Sequence, residues 1–146
     1  MKMIKLMVLF GLSFLMMGCP GPNPSDPIYH VFIYYKNSKG ENLLDPSTVG
    51  HYNASDVKVN GNTSDFSIDS TRQSSTLPKG FALSFILPSG KNATGNTNFI
   101  IALNSTTIDT LTCKSSGATL TSCKYNRVNV LPANLNSPVF PVVIVK

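Results

Sequence analysis

Apolar and polar residues alternate along this chain in short runs separated by glycine, asparagine and proline. Tyr29, Val31, Ile33 and Tyr35 alternate with Ile28, His30, Phe32 and Tyr34. Aromatic and β-branched residues at period two predict a strand, and because both sets are largely apolar it is expected to be buried on both faces. Asn37-Ser38-Lys39-Gly40 brings turn chemistry after it. Asp56 to Val59 predicts a shorter strand closed by Asn60-Gly61, a strong hairpin signal, with Phe66 to Ile68 as the return. Phe81, Leu83, Phe85 and Leu87 alternate with Ala82, Ser84 and Ile86, so the odd positions are expected to face the core.

Phe99 to Leu103 predicts another strand, and Thr106 to Lys114 places Ile108, Thr110 and Thr112 on one face and Thr107, Asp109, Leu111 and Cys113 on the other. Leu120 to Leu131 and Val139 to Val145 complete the series, with Pro141 pointing to an edge position for the last. No stretch of helical period follows residue 19. About seven or eight strands predict an all-β fold, a single antiparallel β-sandwich of immunoglobulin-like or transthyretin-like type over residues 28–146, with a small barrel as second choice.

Composition changes the picture at the start of the chain. All five methionines lie in the first 17 of 146 residues. Lys2 and Lys5 precede an apolar run of 11 residues, Met7 to Met17, shorter than the roughly 20 needed to span a bilayer. Residues 1–18 therefore read as a signal peptide. The run ends in Met16-Met17-Gly18-Cys19, which resembles a bacterial lipobox, implying cleavage before Cys19 and acylation of that residue. Acyl chains would then supply membrane affinity, because each buried CH₂ contributes about 0.8 kcal/mol. Pro20, Pro22, Pro24 and Pro27 make residues 19–27 an extended tether.

The net charge of +5 falls to +3 once Lys2 and Lys5 are removed. The remaining cations are scattered, whereas nucleic-acid binders gather theirs on one face, so no nucleic-acid partner is expected. With Cys19 given to lipid, Cys113 and Cys123 remain as an even pair in an exported domain, and a disulfide is the natural reading. Such a bridge centres its hairpin on Ala118, which requires a bulge or a loop longer than two residues. A metal site joining both thiols to His30 and His51 is the alternative, but neither pair has the close spacing of zinc ligands.

Taken in order, the lipobox, Gly40-Glu41-Asn42-Leu43-Leu44-Asp45-Pro46, Ile108-Asp109-Thr110-Leu111 and Cys123-Lys124-Tyr125-Asn126 resemble small uncharacterised lipoproteins of Bacteroidetes-type bacteria. Two features depart from that pattern: Met16 stands where leucine is usual, and Arg127 where glycine usually follows the asparagine. The resemblance implies a lipid-anchored protein of the bacterial outer membrane. Asp69-Ser70-Thr71 and Asp109-Thr110-Leu111 look like the O-glycosylation signal of such bacteria, which makes Ser70 and Thr110 candidate acceptors. Four Asn-x-Ser/Thr sequons, at Asn53, Asn62, Asn92 and Asn104, read as polar loop composition.

Catalysis requires converging titratable groups, and few are present. Glu41 is the sole glutamate, no Gly-x-Ser-x-Gly elbow exists, and the aspartates show no local pairing. Neither a phosphate-cradling nor a His-Glu-x-x-His motif occurs, so the expectation is a non-enzymatic module without cofactor or metal. Tyr29, Tyr34, Tyr35, Tyr52 and Tyr125 are candidate ligand-facing aromatics for a glycan or protein partner, with strand packing as the competing use. Two functions follow: an envelope-structural or binding module, or a surface carbohydrate-binding or adhesion module.

Overall fold

The computed structural model describes residues 28–71, 73, 75–87, 95–117, 119–130 and 139–146. The signal peptide, the Cys19 lipidation site, the 19–27 tether and the Asn92 sequon lie outside them. Nine strands are described: β1 Tyr29–Lys36, β2 Lys58–Val59, β3 Ser67–Ser70, β4 Phe81–Leu87, β5 Gly95–Ala102, β6 Ile108–Ser116, β7 Thr119–Tyr125, β8 Val128–Asn129 and β9 Val139–Val145. They form a four-stranded sheet ordered β3-β4-β1-β9 and a five-stranded sheet ordered β2-β5-β6-β7-β8. The fold is an all-β sandwich.

One pair departs from the expected antiparallel arrangement. β1 and β9 run parallel, in register from His30 opposite Val139 to Lys36 opposite Val145. Parallel neighbours need a long crossover, and here the five-stranded sheet lies between them in the chain. β9 occupies a sheet edge, where the N–H that Pro141 lacks is tolerated.

Two local expectations are corrected. Asn60-Gly61 does form a tight turn, with φ of 53° and 80°, and the Val59 N–H donates to Asn62 O at 3.0 Å. Its flanks nevertheless separate, because β2 pairs with β5 and β3 with β4. Turn chemistry fixes a reversal, whereas the partner is chosen by the sheet edge that each flank completes. The predicted strand Leu120 to Leu131 is divided by a two-residue turn at Asn126-Arg127, whose φ values of 45° and 73° are both left-handed. Such turns match the twist of a hairpin, and asparagine tolerates the conformation better than arginine does.

Of the two ways to meet the cysteine spacing, a bulge or a longer loop, the chain uses a bulge. Cys113 stands opposite Cys123 and Lys114 opposite Ser122, but Ser115 stands opposite Leu120, leaving Thr121 as the additional residue. Thr121 Oγ1 donates to Lys114 O at 3.0 Å.

Between the sheets lies one core. β1 and β4 contribute Tyr29, Val31, Ile33, Tyr35, Leu83, Phe85 and Leu87, and the opposite sheet contributes Val59, Phe99, Ile101, Leu111, Leu120 and Tyr125. The Phe85 and Phe99 rings meet across the gap with centroids 4.9 Å apart. Burial of such side chains is worth roughly 1.5–3 kcal/mol each. On the outer face of β1, Tyr34 is fully buried and donates to Thr71 Oγ1 at 3.0 Å. Thr71 in turn lies within hydrogen-bond reach of Pro78 O and Gly80 O. This capped outer face explains the apolar reading of β1 on both sides.

Candidate functional site

Alternation along β6 turns Asp109, Leu111, Cys113 and Ser115 inward. Asp109 is thereby carried into the interior with 3% of its surface exposed. A carboxylate in such a place must be paired and hydrogen-bonded. Asn126 Nδ2 donates to Oδ1 at 2.7 Å, and the Tyr125 hydroxyl donates to Oδ2. Lys146 Nζ lies 2.7 Å from Oδ1 and 2.6 Å from Oδ2. The Tyr35 and Tyr125 hydroxyls are 3.0 Å apart. Tyr125 has one proton and gives it to the carboxylate, so Tyr35 is the donor of that pair.

The five groups come from both sheets. Tyr35 belongs to β1, Tyr125 ends β7, Asn126 opens the turn to β8, and Lys146 follows β9. The Lys146 N–H donates to Lys36 O at 2.8 Å, which fixes its backbone beside β1. Asn126 is held on three sides: its N–H donates to Thr110 O at 2.8 Å, its Oδ1 accepts from the Thr110 N–H at 2.8 Å, and its Nδ2 faces Asp109. Tyr52 closes the cluster, packing edge-on against Tyr35 at 6.3 Å and 79°.

Burial pushes the Asp109 carboxyl up, but hydrogen bonds from Lys146, Tyr125 and Asn126, with the Lys146 charge, outweigh it and hold the group below the ordinary carboxylate value. Burial dominates at the phenols. It raises Tyr35 well above its usual range, with the Asp109 and Tyr52 charges adding. Tyr125 rises further, because burial acts together with its contacts to Tyr35 and Asp109.

The aromatic candidates are corrected. Tyr29, Tyr34, Tyr35 and Tyr125 are buried, and Tyr52 is half-buried against the core. Tyr29 and Tyr35 share the parity of Val31 and Ile33, Tyr125 lines the opposite sheet, and Thr71 caps Tyr34. Tyr52 lines an open groove of about 430 Å³ together with Pro46, His51, Asn53, Ile68 and Phe81.

Cys113 and Cys123 face each other at disulfide distance, with Sγ–Sγ of 2.06 Å. The metal alternative is not assembled: both thiols point into the core, whereas His30 lines a groove on the outer face of β1 and β4. Ser70 is exposed on β3 beside the exposed Asp69, but Thr71 is buried. Thr110 is exposed between the buried Asp109 and Leu111. The sequon side chains serve turns: Asn53 donates to Asp56, Asn62 donates to Asp65, and Asn104 Oδ1 accepts from the Thr106 and Thr107 N–H groups.

The groove at His30 also holds Ser67 and Ser84. Ser84 donates to Asp69 Oδ2 at 2.9 Å, and Ser67 donates to the same oxygen at 2.5 Å. Ser84 is thus engaged with a carboxylate rather than with His30, and the three residue types do not form a nucleophile–base relay.

The Asp109 cluster was not singled out by sequence reading. A signal existed, because Asp109 shares parity with Leu111 and Cys113, and an acid on an apolar face calls for a partner. Nothing local pointed to Lys146, 37 residues away. No family model matches the chain, and no curated protein or solved structure matches it either.

Proposed function

We propose that the chain is a lipid-anchored protein of the bacterial outer membrane whose sandwich is a non-catalytic structural or binding module of the envelope. The address supports this reading: Lys2 and Lys5 precede a short apolar run that ends at Gly18-Cys19, followed by a proline-rich spacer. The resemblance to Bacteroidetes-type lipoproteins points the same way. One structural observation carries the choice of a structural module: four of the five tyrosines are consumed by the interior. Side chains that would present flat faces to a sugar are packed away instead, Tyr29, Tyr35 and Tyr125 in the core between the sheets and Tyr34 under Thr71.

The test follows an alkyne-bearing fatty acid into the full-length chain in a bacterial host. Label and membrane fractionation are expected in the wild type and lost together in Cys19→Ser. A wild-type chain that is secreted unlabelled overturns the proposal. Protease treatment of intact and lysed cells then assigns the side of the membrane.

The adhesion reading keeps one specific foothold, the groove at Tyr52. A glycan-array signal that disappears in Tyr52→Ala would favour it over the structural reading.

A further inference from the structure

We propose that Lys146 and Asn126 join in an intramolecular isopeptide bond, with Asp109 moving the protons. The geometry points to this chemistry rather than to an ion pair alone. Lys146 Nζ and Asn126 Nδ2 both lie 2.7 Å from the same oxygen, Asp109 Oδ1. The amine and the amide are therefore separated by no more than two such contacts. The amide is also oriented for attack, because its Oδ1 accepts from the Thr110 backbone N–H at 2.8 Å. That donor sits where negative charge develops when an amide carbonyl is attacked, the arrangement of an oxyanion hole.

The surroundings suit the reaction. Asp109 is buried, and Tyr125 and Tyr35 form the wall behind its other oxygen. The nucleophile is tethered by the Lys146 N–H bond to Lys36 O, and the electrophile by the Asn126 N–H bond to Thr110 O, 2.8 Å each. Holding both partners in place converts a bimolecular aminolysis into a unimolecular one, where effective molarities reach about 10⁵ M or more.

The step balances without an oxidant or a co-reactant. Lys146 Nζ gives a proton to the Asp109 carboxylate, and the freed lone pair forms a bond to Asn126 Cγ while the carbonyl electrons move onto Oδ1. Asp109 passes its proton to Nδ2 and takes a second one from Nζ. The Cγ–Nδ2 bond breaks, the carbonyl reforms, and ammonia departs, collecting the second proton from Asp109 as ammonium. The carboxylate is restored, and the lysine charge has left the protein with the ammonium ion. Lys146 follows β9 and Asn126 follows β7, so the new bond would join the two sheets.

The test is peptide mapping of the full-length chain by tandem mass spectrometry after tryptic digestion and reduction. The expected result is the peptide Tyr125–Arg127 joined to the peptide bearing Lys146, lighter than the two together by about 17 Da, the mass of ammonia. Lys146→Arg keeps a cation on Asp109 but removes the nucleophile, so it is expected to fold and to lack the link. Asp109→Asn keeps the side-chain shape without the proton relay and is expected to lower the linked fraction at least tenfold. Separate, unmodified peptides from the wild type overturn the proposal. So does a link about 18 Da lighter that joins Lys146 to Asp109, or a loss of about 17 Da at Asn126 that survives in Lys146→Arg, which would mark a succinimide.

Discussion

The middle of the interior and the end that holds Asp109 solve the same problem by opposite means. In the middle, Phe85 and Phe99 meet across the sheets with their rings 4.9 Å apart, and Val31, Ile33, Leu83 and Leu111 fill the space around them without polar atoms. At the end, contact between the sheets passes through Tyr35, Tyr125, Asp109, Asn126 and Lys146. Apolar packing tolerates many shapes of similar volume, whereas a buried network is stable only if every member is satisfied. The difference teaches where specificity resides. The middle favours collapse of the two sheets, and the network fixes which strand ends must meet.

Substitutions can break each side of the contrast. Phe85→Ala, which opens a cavity in the middle, is expected to cost about 3–5 kcal/mol in urea denaturation. Asp109→Ala strands the Tyr125 hydroxyl and the Asn126 amide. In the Lys146→Arg background, where no covalent link contributes, it is expected to cost about 3 kcal/mol. Reduction of the Cys113–Cys123 bridge, which ties neighbouring strands of one sheet, is expected to cost roughly 2–3 kcal/mol by the chain-entropy argument. Thr71→Val leaves the Tyr34 hydroxyl buried without its acceptor and is expected to cost about 1–2 kcal/mol.

The pH dependence sharpens the comparison, because the middle contains no titrating group. Asp109 is held below its ordinary value of 3.8 in the fold. Its contribution is therefore complete above about pH 4 and is lost as pH falls through the folded value. Tyr35 and Tyr125 are raised above 10.0. Their contribution is complete below about pH 10 and declines as pH rises beyond it. In the Lys146→Arg background, which keeps a cation on Asp109 and forms no link, adding Asp109→Asn is expected to remove the acid limb attributable to this carboxyl from denaturation midpoints measured across pH.

Much of the fold was legible in the chain. Alternation marks β1, β4 and β6, Pro141 marks β9 as an edge, and the Cys113–Cys123 spacing calls for a bulge or a longer loop, of which Thr121 supplies the bulge. Period-two patterning tells which residues share a face but not which sheet a strand joins. For that reason Asn60-Gly61 predicted a turn correctly and a hairpin wrongly. Parity also placed Tyr29 and Tyr35 beside Val31 and Ile33, yet an amphipathic ring suits a surface as well as a core. The Asp109 cluster stayed hidden because Tyr35, Tyr125 and Lys146 are brought together only by tertiary closure.

The parallel pairing of β1 with β9 has a mechanical meaning. A force applied between the start of β1 and the end of β9 pulls neighbouring strands past each other along their length. The seven register pairs from His30–Val139 to Lys36–Val145 are then loaded together, rather than opened one after another as in a hairpin peeled from its tip. A domain held by a tether before residue 28 and pulled from beyond Val145 would resist as a shear clamp, its weakest direction turned away from the load.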